Sequence, residues 1–176
     1  MAFHLLDKNR EGALQLSNIL KESMQQIGNC RRCRDYTESD ECMICRSDRR
    51  DDTLLCVVES PSDVVAIEST AGFNGKFFVL LGQLSPLDGI GPDEIGIPLL
   101  ADILSEGRTL EVIVATSSTI EGEATAHYIG QLANRCSDKK IKVTRLAQGV
   151  PVGGELGYLD QSTLALSIAN RNSLDF

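Results

Sequence analysis

Leu54-Leu55-Cys56-Val57-Val58-Glu59-Ser60-Pro61-Ser62-Asp63 is the stretch on which the fold turns. Its consecutive apolar residues leave no alternating polar face, as expected of a strand buried on both faces of a parallel sheet. The run stops at Glu59, and Ser60-Pro61-Ser62-Asp63 opens a helix expected to extend to Thr70. Proline fits the first helical turn, where its missing N–H has no intrahelical partner to lose. The same alternation repeats downstream. Strands are expected over residues 76–81, 111–115 and 141–146, and helices over 98–105, 121–135 and 161–169. Strand and helix alternating through short turns imply an α/β fold, with a parallel sheet, right-handed crossovers and helices on both faces. Two glycine-rich loops interrupt the pattern, over residues 82–96 and 149–155. The first is longer than a plain connection needs, which marks it as a functional candidate. The second lacks the Lys-Ser/Thr of a phosphate-binding loop, so nucleotide binding through it is not supported.

Upstream of the strand lie two short cysteine pairs, Cys30-Arg31-Arg32-Cys33 and Cys42-Met43-Ile44-Cys45. Two sulfurs on each tight knuckle reach one ion, and four thiolates complete the tetrahedron of a structural Zn2+, one per chain, with no open position for catalysis. The polar segment over residues 34–41 suits a finger tip. Disulfides are the first alternative, but they need an oxidising compartment, and Met1-Ala2-Phe3-His4-Leu5-Leu6-Asp7 is no signal peptide. A redox C-x-x-C is the second; it ordinarily uses one pair beside a thioredoxin-like pattern, which is absent here. Ahead of the finger, residues 10–27 read as an amphipathic helix striped by Leu14, Leu16, Ile19, Leu20, Met24 and Ile27. Gly28-Asn29 is expected to end it as a turn. Met1 to Leu6 has the character of the end of another helix.

With 176 residues, 42% of them hydrophobic, the chain can bury one core and carry a small module stabilised by metal. Cys56 and Cys136 suit small buried hydrophobes in a reducing cytosol. No apolar stretch approaches the length of a membrane span. A formal net charge of −8 argues against a protein that coats nucleic acid by charge alone. The one dense basic patch, Arg31, Arg32, Arg34, Arg46, Arg49 and Arg50, is interleaved with Asp35, Glu38, Asp40, Glu41, Asp48, Asp51 and Asp52. A solvated finger surface and a phosphate-contacting one both fit that composition.

In an open parallel sheet, ligands gather at the carboxyl ends of the strands. Glu59, with Asp63 just beyond it, ends the first strand, and Glu121 and Glu123 follow the third. Carboxylates in a first helical turn also complement the helix dipole, so helix stabilisation and metal binding both remain open. The arrangement resembles the Toprim domain of topoisomerases, primases and recombination proteins. In the enzymatic members, a Glu ends the first strand and a D-x-D pair after a later strand supplies magnesium ligands. Here the D-x-D positions fall on Ser117 and Thr119, while Glu121-Gly122-Glu123 is kept. Hydroxyls are weak, neutral ligands, which removes the basis for magnesium-dependent phosphoryl transfer.

With the cysteine pairs directly ahead, the chain resembles the RecR family of bacterial recombination mediators. The resemblance is carried by residues 30–45, 56–63, 84–92, 121–126 and 149–156, in family order. It implies N-terminal helices over 1–29, a four-cysteine zinc finger over 30–52, a Toprim domain over 53–147 and a C-terminal helical segment over 148–176. It further implies a non-enzymatic role in DNA repair and recombination in the cytoplasm, at the nucleoid, with RecO and RecF as partners in loading RecA onto single-stranded DNA. Glu59, Glu121 and Glu123 would present an acidic surface to a basic partner, and Arg31, Arg32, Arg34, Arg49 and Arg50 would contact DNA phosphates. Family members assemble as dimers and ring-like tetramers on single- and double-stranded DNA. They also carry an N-terminal helix-hairpin-helix, of which Met1 to Leu6 matches only the end, so weaker DNA binding is expected of the sequence as it stands. The rival function is a magnesium-dependent Toprim nuclease or topoisomerase-like enzyme using the same three glutamates; cation-dependent DNA cleavage discriminates between them.

Overall fold

The computed structural model describes residues 2–136 and 140–171; Met1 and the end of the C-terminal segment, 172–176, lie outside them. In chain order the elements begin with α1 (Ala2–Lys8), α2 (Arg10–Gln26), β1 (Gly28–Asn29), β2 (Tyr36–Thr37) and α3 (Met43–Arg46). Then come β3 (Asp51–Val58), α4 (Pro61–Ser69), β4 (Gly75–Val79), α5 (Ile97–Ser105), β5 (Glu111–Ala115), α6 (Ile120–Cys136), β6 (Lys142–Arg145) and α7 (Gln161–Ala169). By contact the chain divides into two units, Met1–Thr144 and Arg145–Phe176.

Strands β3 to β6 form one sheet in the order β4-β3-β5-β6. β3 runs parallel to both neighbours, with Val57 level with Phe78 on one side and Val114 on the other. Period-two alternation sends its residues to opposite faces. Leu55 and Val57 join Phe78, Leu80, Val112 and Val114 beneath α5 and α6, while Cys56 and Val58 join Phe77 and Val79 beneath α4. Both faces are therefore apolar, which is why the strand reads as an unbroken run. Each fully buried Val or Leu contributes about 1.5–3 kcal/mol. Burial pushes the Cys56 thiol up to about 12, with the Asp63 charge adding to it, so this cysteine stays a protonated core residue.

Helix α4 starts as the sequence requires. Asp63 accepts from the Ser60 N–H at 2.8 Å in a capping box, and Pro61 occupies the first turn. Strand β4 stops at Val79 rather than running to 81, because Leu81 turns into the left-handed region at φ 59°. Gly28-Asn29 is not a helix-ending turn. α2 ends at Gln26, the extended backbone of Ile27 leads directly into β1, and β1 pairs antiparallel with β2 to close the base of the finger.

None of the residues of α1 and α2 is buried, and Leu14, Ile19 and Met24 of the expected stripe lie exposed. In the second unit, α7 is capped by Asp160, which accepts from the Thr163 N–H at 2.9 Å. No described residue of this unit is buried, and Val152, Tyr158 and Ile168 are open to solvent. Among the described residues, no helix is long and apolar enough to cross a membrane.

Candidate metal centre and the carboxyl edge of the sheet

The first knuckle is a tight turn in which the Asp35 carbonyl accepts from the Cys30 N–H at 2.7 Å and the Cys30 carbonyl from the Arg34 N–H at 2.9 Å. The second is the start of α3, where Cys42 occupies the cap and its sulfur accepts from the Cys45 N–H at 3.4 Å. Together they bring Cys30, Cys33, Cys42 and Cys45 into one buried cluster whose sulfurs all lie within 4.8 Å of one another. Zinc–sulfur bonds of about 2.3 Å set tetrahedral sulfurs about 3.8 Å apart. The Cys33–Cys42 separation of 3.5 Å is close to that edge length. Hydrogen bonding within the cluster lowers the pKa of the Cys42 thiol and raises those of Cys33 and Cys45, so the sulfurs behave as one donor set. A buried all-thiol donor set, with no fifth such group joining it among the described residues, fits a structural zinc.

The finger docks on the edge of the sheet. The Cys33 carbonyl accepts from the Val79 N–H at 2.8 Å, and Lys76 Nζ donates to the Cys45 carbonyl at 3.1 Å. These bonds cover β4, which would otherwise present an unpaired edge. Beside Cys45 the charged groups form a chain. Lys76 pairs with Asp52 at 2.6 Å, Arg108 contacts Asp52 and Glu106, and Arg32 donates to both oxygens of Glu106 at 3.3 and 2.9 Å. They surround a cavity of about 20 Å3, room for a single water.

These contacts separate the five arginines expected at DNA. Arg32 is committed to Glu106, and Arg50 to Glu68 and to the carbonyls of Phe73 and Gly75. Arg34 points inward, donating to the carbonyls of Leu80 at 2.8 Å, Glu94 at 3.3 Å and Ile95. These three guanidiniums thus have acceptors within the protein. Arg31 is exposed and pairs with Glu41 at 2.9 Å, and Arg49 is exposed.

At the carboxyl edge, Glu59 lies at the end of β3 and accepts from the Ser117 N–H at 2.8 Å, which ties it to the loop leaving β5. The Ser117 and Thr119 hydroxyls hydrogen-bond each other at 2.8 Å, and both reach Gln83 Oε1, at 3.4 and 3.5 Å. Thr119 also accepts from the Gly122 N–H at 3.1 Å, and Thr116 donates to the Gly122 carbonyl at 2.9 Å, so the hydroxyls hold the start of α6. Gly122 must be glycine. A Cβ there would collide with the Ser117 carbonyl oxygen. Glu121 is half-buried in the first turn of α6 and Glu123 is exposed beside it, while Asp63 is drawn away to cap α4. Tyr36, Glu59, Pro61, Leu81 and Gln83 line an open cleft of about 580 Å3. His127 is exposed and hydrogen-bonded to Gln131, one turn along the same helix.

The D-x-D positions are thus hydrogen-bonded hydroxyls on a scaffold that otherwise presents the Toprim carboxyl edge. A family model described as Toprim domain matches residues 53–147, more than half of the chain. The chain belongs to the Toprim domain family. A second model, described as RecR, C-terminal, matches residues 149–172. With the buried four-cysteine cluster, the two matches make this a RecR-like protein with a zinc-finger segment and a Toprim domain, which carries a recombination-mediator role in general terms. Gln83 was not legible in the sequence as part of the site; only its place in an overlong loop pointed near it. The inward role of Arg34 carried no sequence signal at all.

Proposed function

We propose that this chain is a non-enzymatic DNA repair and recombination mediator that acts with RecO and RecF to load RecA onto single-stranded DNA. The observation that carries the reading is the hydroxyl pair at Ser117 and Thr119. The two hydroxyls share one hydrogen bond, the second proton is within reach of Gln83, and Glu59 is occupied by a backbone N–H. Such a site lacks the clustered carboxylates that hold magnesium. What it offers instead are acidic groups at the carboxyl edge, Glu59 lining the cleft and Glu121 and Glu123 in the first turn of α6, suited to a basic partner. RecO is the proposed partner there. Of the five arginines proposed for phosphate contacts in an assembly on DNA, Arg31 and Arg49 are the exposed ones. Zinc, one per chain, is the proposed ion, and the cytoplasm, at the nucleoid, the proposed setting. The exposed apolar residues of α2 and of the second unit support assembly into dimers or larger rings, since a second copy would cover them.

Calorimetric titration of RecO into the zinc-loaded chain tests the partner assignment. Glu121→Lys is expected to weaken binding by roughly tenfold or more, with an altered salt dependence and the fold retained at a slightly lower melting temperature. Equal affinity for the two proteins removes Glu121 from the interface.

A further inference from the structure

We infer that Arg34 is a positioning residue for the carboxyl edge, coupling the metal-binding knuckle to Gln83, Glu59 and the hydroxyl pair. Arg34 follows Cys33 directly and is itself left-handed at φ 67°, a backbone conformation held by two hydrogen bonds. Its N–H donates to the Cys30 carbonyl at 2.9 Å, and its carbonyl accepts from Asn29 Nδ2 at 2.8 Å. The knuckle therefore dictates where the side chain leaves the finger.

The guanidinium then grips both stems of the long loop between β4 and α5. Leu80 lies at the loop's start, Glu94 and Ile95 at its end, and their carbonyls all accept from Arg34. Burial pulls its pKa down, and the charge serves to strengthen three hydrogen bonds to backbone dipoles. Gly96, at φ 77°, makes the space, since a Cβ there would collide with Arg34 Nη1.

The clamped stem leads straight to the site. After Leu80 the chain turns at left-handed Leu81, Gly82 donates its N–H to the Glu59 carbonyl at 3.1 Å, and Gln83 then meets Ser117 and Thr119. Every step from Cys33 to Thr119 is a covalent neighbour or a hydrogen bond. Lysine cannot take this place, because its side chain is one bond shorter than the reach to Nη1, which donates to both Leu80 and Ile95, and it has no second terminal nitrogen for Glu94. The consequence for docking rests on the function proposed above; the positioning itself does not.

The test uses the zinc-loaded full chain and Arg34→Lys, with Gly96→Ala as a second variant that crowds the guanidinium from the other side. Hydrogen–deuterium exchange is followed over residues 80–83, 94–96 and 116–122, with zinc content and RecO affinity measured on the same samples. Either variant is expected to keep its zinc and to exchange roughly tenfold faster in all three segments, while β3 and β5 stay protected. RecO affinity is expected to fall although neither residue is one of the three glutamates. Unchanged exchange over 80–83 and 116–122 in a zinc-loaded variant overturns the positioning role, whatever RecO does. Faster exchange with full RecO affinity upholds the positioning role and contradicts docking at this edge.

Discussion

Cys33→Ser lowers the melting temperature by about 10 °C or more and abolishes zinc retention. Structural zinc contributes on the order of 10 kcal/mol to the folding of small Cys-ligated modules, and three thiolates with a serine hydroxyl hold the ion far less tightly. The loss is not confined to the finger. The Cys33 carbonyl supports Val79 on the sheet edge, and the next residue anchors both stems of the long loop. A collapsed knuckle therefore exposes β4 and releases the loop together. Zinc uptake displaces thiol protons, so retention in the parent chain weakens as pH falls. Thermal melts with elemental analysis, run beside Cys136→Ser as a control on a half-buried cysteine outside the cluster, check the prediction. A variant that melts within a few degrees of the parent and keeps its metal contradicts it.

The second large effect concerns the hydroxyl pair. In the double variant Ser117→Asp/Thr119→Asp, two carboxylates replace oxygens that now lie 2.8 Å apart, beside Glu59 on the Ser117 N–H. Like charges at that range oppose ionisation, and the folded state is expected to lose about 2–4 kcal/mol in the absence of divalent cations. Magnesium at about one hundred times its dissociation constant returns about 2.7 kcal/mol, so the variant's melting temperature rises on addition of the ion. The parent, whose hydroxyls are engaged with each other and with Gln83, is expected to show no such response. Equal stabilisation of both proteins by magnesium contradicts the assignment of this edge as metal-free.

The sheet was legible because burial on both faces leaves its mark on composition. Leu55 and Val57 face one core, Cys56 and Val58 the other, and no polar residue can intervene between them. The start of α4 was equally plain, since Ser60, Pro61 and Asp63 each perform a local task in a capping box. The cysteine cluster was legible from spacing alone, because a chelate imposes its own short-range geometry. What escaped was decided by tertiary contact. A run of arginines reads as a basic patch, yet the acceptors of Arg34 lie 46 to 61 residues away and are backbone carbonyls, which carry no sequence signal. β4 ends early because of a left-handed residue, Leu81, whose side chain gives no warning of that backbone. Gln83 looked like one more polar loop residue until the fold set it against Ser117 and Thr119.

Under the proposed function, the Toprim scaffold serves for docking and not for strand breakage. Incubating the zinc-loaded chain with supercoiled plasmid and magnesium or manganese tests it most directly. The expected result is intact supercoiled DNA with the parent chain and with Glu59→Ala alike. Cation-dependent nicking or relaxation by the parent, abolished by Glu59→Ala, would contradict it.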